Sequence, residues 1–140
     1  MSFNNFINLI RYKSYLKNLI IFLPLFLNYT SWSITNFNKL VLPVIFFSFL
    51  ASSIYIINDL NDLEIDKKHK SKKYRPLASG LILPKTAIFI SLFLAIISLL
   101  FFFIYSDYKI FILGTLYLII NFFYSIVLKK NKILRYINSL

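Results

Sequence analysis

Residues 40–66 read LVLPVIFFSFLASSIYIINDLNDLEID. The first eighteen of these, 40–57, carry no charge, and a helix of that length rises about 27 Å, close to the hydrocarbon thickness of a bilayer. The last nine, 58–66, hold four of the chain's five acidic residues. A segment suited to lipid therefore ends in a cluster of carboxylates, which are costly in or near a bilayer unless something compensates them. That junction sets both expectations drawn below: an all-α integral membrane fold, and a site at the membrane rim.

Working outward, two more uncharged apolar runs, 86–105 and 110–128, are long enough to span. A weaker one, 19–27, is interrupted by Pro24. A first crossing over about 15–32 is expected, kinked at that proline. In isolation it could pass for a signal peptide, but no small-residue cleavage site follows, which favours an uncleaved helix. Pro43 and Pro84 are placed near helix starts, where a missing N–H costs little. The composition agrees with four crossings: of 140 residues, 59% are hydrophobic and 19% aromatic. Mean hydropathy is +0.71. A soluble domain of this size could not hide so much apolar surface. The absence of cysteine removes disulfides and thiolate-bound metals.

The net charge of +11 is clustered. With four crossings, fourteen of the sixteen Lys and Arg fall on one side: Arg11, Lys13 and Lys17, then seven within 58–85, then four after 128. Lys39 and Lys109 alone fall on the other. The positive-inside rule then makes both termini and the 58–85 loop cytoplasmic, in a multi-pass inner-membrane protein. Such clustering reports topology, and no nucleic-acid partner is expected. Asn121, alone in the fourth run, is expected to make an interhelical hydrogen bond.

If the second helix continues past Ile57, then Asn58, Asp59, Asp62 and Asp66 share an arc of about 100°, while Glu64 lies on the far side. Hard oxygen donors so spaced suit Mg²⁺, which takes one or two carboxylates and leaves positions for phosphate and water. An EF-hand calcium loop is not expected, because its glycine and closing glutamate are missing. The plainer alternative is a solvated helix end paired with downstream lysines. The next stretch, KKHKSKKYRPLASG at 67–80, favours a polyanion site with metal on one flank and cations on the other. Topogenic charge or attraction to anionic lipid accounts for Lys67, Lys68 and Lys70. It does not account for Arg75-Pro76 or Ala78-Ser79-Gly80. His69 is expected to be merely solvated. Lys17 and Asn18 place a charge and an amide at the cytoplasmic end of the first crossing.

NDLNDLEID resembles the N-D-x-x-D-x-x-x-D motif of the UbiA superfamily, intramembrane enzymes acting on polyprenyl substrates. The basic loop and its RPLASG resemble the segment that follows that motif in the family. RYKSYLKNLIIFLPLF at 11–26 resembles the R-x-x-Q-W-x-K-N…P opening of the polyprenyl-phosphate (decaprenyl-phosphate) phosphoribosyltransferase branch. Arg11, Lys17, Asn18 and Pro24 fit, and Tyr12, Ser14 and Tyr15 depart.

The resemblance implies that Asn58, Asp59, Asp62 and Asp66 hold Mg²⁺ and a donor diphosphate, with Asp59 and Asp62 catalytic. It makes Lys73 and Arg75 neutralise phosphate oxygens, while Lys17, Asn18 and Asn58 contact substrate. The implied partners are phosphoribosyl diphosphate as donor and a polyprenyl phosphate as acceptor. In the prenyltransferase branches they are a polyprenyl diphosphate with an aromatic or haem acceptor. Family members are roughly twice as long, with about nine helices and a second aspartate-rich motif. Residues 1–140 are therefore expected to be the N-terminal half of a nine-helix bundle: a fragment, half of a split enzyme, or a remnant. From a different class, the chain is instead a non-catalytic membrane protein whose basic loop docks lipid or a partner.

Overall fold

A computed structural model of the chain describes residues 2–23, 27, 33–106 and 108–125. Among these the secondary structure is entirely helical. A short amphipathic helix, α1 (Phe3–Leu9), precedes a 3₁₀ turn at Tyr12–Ser14. Over the expected first crossing the described residues are divided: α2 is a single turn, Tyr15–Asn18, followed by 3₁₀ geometry over Leu19–Phe22. Pro24 and its expected kink lie outside the described residues, as do the last residues expected of the fourth crossing.

The second crossing, α3 (Ile34–Asn61), starts six residues earlier than its apolar run. Ser33 caps it, its hydroxyl accepting from the Asn36 N–H at 3.1 Å. A search for apolar residues alone passes over that start, because Asn36, Asn38 and Lys39 occupy the first turns. Pro43 consequently lies inside the helix and not near its beginning. A membrane helix tolerates this because neighbouring groups re-satisfy the freed backbone. α3 ends at Asp62, and after that one-residue break α4 (Leu63–Lys68) continues the carboxylate stripe. α5 (Pro84–Tyr105) begins on Pro84, where the missing N–H is harmless. α6 (Tyr108–Phe123) returns alongside.

α3 and α5 are each long and apolar enough to cross a membrane, and α6 is a shorter apolar helix. The chain is an all-α integral membrane protein. Its large apolar side chains point outward: Phe89 is 70% exposed and Phe103 68%. In water such a surface would be an aggregation patch, whereas lipid solvates it. Inside, the helices meet on small residues. Ser91 of α5 donates to the carbonyl of Ser53 on α3 at 2.9 Å. A Cβ placed on Gly114 of α6 would come within 3.1 Å of the Phe102 ring of α5. Packing on small residues is how membrane helices associate when burial from water cannot drive them. Asn121 bonds within its own helix, donating to the Tyr117 carbonyl at 2.8 Å, and among the described residues the expected interhelical bond is not seen. An intrahelical carbonyl four residues back satisfies the amide without any partner helix.

At the rim carrying the acids, a second core forms from loops and helix ends. Leu9 and Ile10 pack with Ile56, Leu77, Ile82, Ala87 and Leu94. This cluster ties the N-terminal segment, the end of α3 and the 69–83 loop into one unit, and it positions the polar groups described next.

Candidate functional site

Along one face of α3 the apolar sequence is interrupted at Ser48, Ser52, Tyr55 and Asp59, spaced by four, three and four residues. That spacing is one helical stripe. The N-terminal segment lies along it. Asn18 donates its amide to Ser48 at 2.9 Å, and Tyr15 shares a hydrogen bond with Ser52 at 2.9 Å. Ser52 Oγ also lies 2.7 Å from the Ile10 carbonyl. Arg11 grips the Asp59 carboxylate through both Nε, at 3.2 Å to Oδ2, and Nη2, to Oδ1. Its guanidinium sits 5.3 Å from the Tyr55 ring centroid. Arg11 adopts the left-handed backbone conformation, φ 53° and ψ 48°. For a non-glycine residue that costs about 1–2 kcal/mol, which the fork on Asp59 and the aromatic contact offset.

Asp59 receives a second cation. Arg75 Nη1 lies 2.9 Å from Asp59 Oδ1 and 2.6 Å from Asp66 Oδ2, so one guanidinium bridges α3 and α4. Both carboxylates are buried, Asp66 at 1% exposure. Lys72 approaches the other oxygen of Asp66 at 3.8 Å. The loop chemistry explains how Arg75 is held. Its carbonyl accepts from both the N–H and the hydroxyl of Ser79, at 2.9 and 2.8 Å. Gly80 turns the chain with φ +77°, a conformation L side chains rarely adopt. Leu77 and Ile82, on either side, are buried in the rim core. RPLASG is thus a turn that fixes one arginine against two aspartates.

The remaining expected residues are placed unevenly. Asn58 is half-buried and Asp62 caps the end of α3. Glu64 is exposed on the far side, as its position on the stripe predicts, and pairs with Lys67 at 2.7 Å. The bond to Lys67 and its charge hold the Glu64 carboxyl below its ordinary range. Lys73 is exposed, its ammonium 5.1 Å from the Tyr74 ring centroid. Lys17 is also exposed, and Asn18 is spent on Ser48. His69 accepts at Nδ1 from the Ser71 and Lys72 N–H groups, closing the basic turn. Arg11 and Lys72 are the cations that sequence reading leaves out of the site. The signal for Arg11 was its place opposite the Ser48–Ser52–Asp59 stripe, which exists only once residues 10–18 are laid on α3.

The carboxylate and amide oxygens at this rim are hard donors of the kind a divalent cation takes. Two buried oxygens, Asn58 Oδ1 and Asp66 Oδ1, have no hydrogen-bond partner among the described residues. Leaving them so is costly unless a ligand completes them. Among the described residues, however, no three acidic or histidine side chains converge as a ready metal cage. Asp59 and Asp66 are engaged by arginines instead.

Residues 19–136 match the model of the UbiA prenyltransferase family. Over 62 residues, 44% of this chain, the sequence is 34% identical to decaprenyl-phosphate phosphoribosyltransferase of Mycobacterium tuberculosis, covering 20% of that protein. It is 47% identical over 36 residues, 26% of this chain, to the protein of the same description from Corynebacterium glutamicum, covering 11% of it. A longer match, 36% identical over 101 residues and 72% of this chain, is to digeranylgeranylglyceryl phosphate synthase of Sulfurisphaera tokodaii, 35% of which is covered. The chain therefore spans at most about a third of the length of these relatives. Apolar crossings, the aspartate stripe at the end of α3 and the arginine-bearing turn are the features that this match joins, and the chain belongs to the UbiA prenyltransferase family.

Proposed function

We propose that this chain forms part of an enzyme that transfers a phosphoribosyl group from phosphoribosyl diphosphate to a polyprenyl phosphate. The observation that carries the reading is Arg75 bridging Asp59 and Asp66 beside two unsatisfied buried oxygens. Cations and hard oxygen donors are thereby concentrated where an apolar bundle meets water, as a lipid acceptor and a diphosphate donor both require. The names of the mycobacterial and corynebacterial relatives support the phosphoribosyl choice.

In the reaction an oxygen of the acceptor phosphate bonds to the anomeric carbon of ribose. The bond from that carbon to diphosphate breaks, and its electron pair leaves with the diphosphate. Mg²⁺, held by Asn58, Asp59, Asp62 and Asp66, would supply positive charge for that leaving group. Arg75 is fixed close enough to share the same diphosphate, and its fork suits phosphate oxygens. Lys73 and Lys17, both exposed, would complete the substrate contacts, whereas Asn18 is taken up by Ser48 further along α3. The rim core under Leu77 and Ile82 holds these groups in place, so that little reorganisation is needed during the transfer. Both termini and the 58–85 loop would face the cytoplasm, where a soluble diphosphate donor is available.

A second reading is prenyl transfer from a polyprenyl diphosphate, favoured by the longer match to the Sulfurisphaera tokodaii protein. Donor binding separates the two. Phosphoribosyl diphosphate is expected to bind the whole protein only with Mg²⁺ present, and Asp62→Asn is expected to remove that binding without unfolding the protein. If a prenyl diphosphate shows this Mg²⁺-dependent, Asp62-dependent binding and phosphoribosyl diphosphate does not, the prenyl reading replaces the first. If neither binds, the transferase reading fails for this chain.

A further inference from the structure

The two arginines do more than neutralise carboxylates. A guanidinium carries five N–H donors in a fixed fork. Arg11 addresses Asp59 through Nε and Nη2, and Arg75 addresses Asp59 and Asp66 through Nη1. Among the described residues, the donors on the other nitrogens make no hydrogen bond. Both arginine side chains are about 30% exposed, so they are anchored at one end and open at the other. Between them lies a polar cavity of about 320 Å³, lined by Asn8, Arg11, Tyr12, Lys13, Ser14 and Arg75. The lining supplies three cations, an amide and two hydroxyls, and contains no carboxylate. Its natural guest is an anion.

The neighbouring surface has the opposite character. An apolar groove of about 280 Å³ runs past Tyr15, Leu16 and Leu19 and shares Tyr12 and Lys13 with the cationic cavity. Leu16 is 73% exposed along it. A ligand lying across both would carry charge at one end and hydrocarbon at the other. The backbone at Arg11 is held in its costly left-handed conformation where the cavity is built, and such strain tends to gather at functional positions.

We infer that residues 8–14 and Arg75 form a metal-independent phosphate pocket, opening onto a groove for the hydrocarbon tail of a lipid monophosphate. Residues 8–14 precede the stretch that matches the family model, while Arg75 lies within it. Asp59 acts here as a positioning residue, aiming both arginines from behind. The pocket rests on the transferase reading only in the choice of a prenyl monophosphate as one probe.

The test is a titration of the whole protein in detergent, with EDTA holding divalent cations away. Inorganic phosphate is expected to bind saturably and more weakly as salt rises. Lys13→Gln, at an exposed residue that touches neither aspartate, is expected to weaken binding several-fold while leaving the unfolding midpoint unchanged. Arg11→Lys, which keeps the charge on Asp59 but loses the fork, is expected to weaken it as well. A prenyl monophosphate is expected to bind more tightly than inorganic phosphate, with Leu16→Ser cancelling the gain. Equal affinity for the two anions would keep the pocket and overturn the groove, assigning a free phosphate as ligand. Absence of saturable binding in EDTA, or binding indifferent to Lys13→Gln in a folded protein, overturns the pocket itself. Because no Mg²⁺ enters this titration, its failure is distinct from failure of the donor reading.

Discussion

The face of α3 that meets residues 10–18 is polar and ordered by named hydrogen bonds, while the face that meets α5 and α6 is apolar and ordered by shape. On the first, Asn18–Ser48, Tyr15–Ser52 and Arg11–Asp59 follow one another along the helix, ending at the rim in a half-buried ion pair. On the second, Leu50 reaches toward Gly114 beside Phe102, and Ser53 serves mainly to let α5 come close enough for Ser91 to bond its carbonyl. One helix thus carries a specifying seam and a packing seam. Hydrogen bonds and charges are direction-dependent, so the polar seam sets where the N-terminal segment must lie. Small residues only permit close approach, so the packing seam leaves its register to the fit of large neighbours.

The comparison breaks most visibly at its charged end. Arg75→Ala would leave Asp59 with Arg11 alone and Asp66 with only Lys72 at 3.8 Å, and breaking a buried pair costs up to about 3–5 kcal/mol. A large fall in unfolding midpoint in detergent is expected. An unchanged midpoint would show that the polar seam is ornamental to stability. The packing seam is probed next by Gly114→Val, whose added methyl groups must displace the Phe102 ring. Overpacking of this kind costs about 1–3 kcal/mol, and the loss should appear in thermal unfolding with ligand binding at the rim intact. Within the polar seam, Ser52→Ala removes the hydroxyl shared by Tyr15 and the Ile10 carbonyl. A loss of about 1–2 kcal/mol is expected, with faster hydrogen exchange confined to residues 10–18. If exchange instead rises along α5, the two seams are coupled and the division drawn here is wrong.

The smallest effect is expected at Glu64. Its carboxyl is held below the ordinary range by Lys67, so the contribution of the pair is present above that range and lost as pH falls through the lowered value. The pair is exposed and screened, and Glu64→Gln should leave the unfolding midpoint unchanged at any pH where the protein is soluble. A measurable shift would mean that Glu64 belongs to the site after all.

Much of this was legible in the residues. Uncharged runs of helical length identify membrane crossings because no other arrangement satisfies backbone in lipid. The stripe of Asn58, Asp59, Asp62 and Asp66 followed from helical spacing, and so did the exclusion of Glu64. The start of α3 was not legible, because a cap and polar first turns look like loop when apolarity is the only guide. Nor was the bond from Asn121 to its own helix legible, because an amide in an apolar helix has a carbonyl of that helix within reach.

The amino-acid sequence by itself determined that the chain is helical, that it belongs in a membrane, and that carboxylates and cations gather at one end of the second apolar run. Those are local properties, set by hydrophobicity and by period along a single segment. Which cation meets which carboxylate was decided only by tertiary structure. Arg11 lies 48 residues from Asp59 and Arg75 lies 16 from it. Their meeting depends on Leu9, Ile10, Leu77 and Ile82 sharing one core with Ile56 at the rim. No spacing along the chain encodes that meeting, because it is apolar packing between distant segments that brings the charges together.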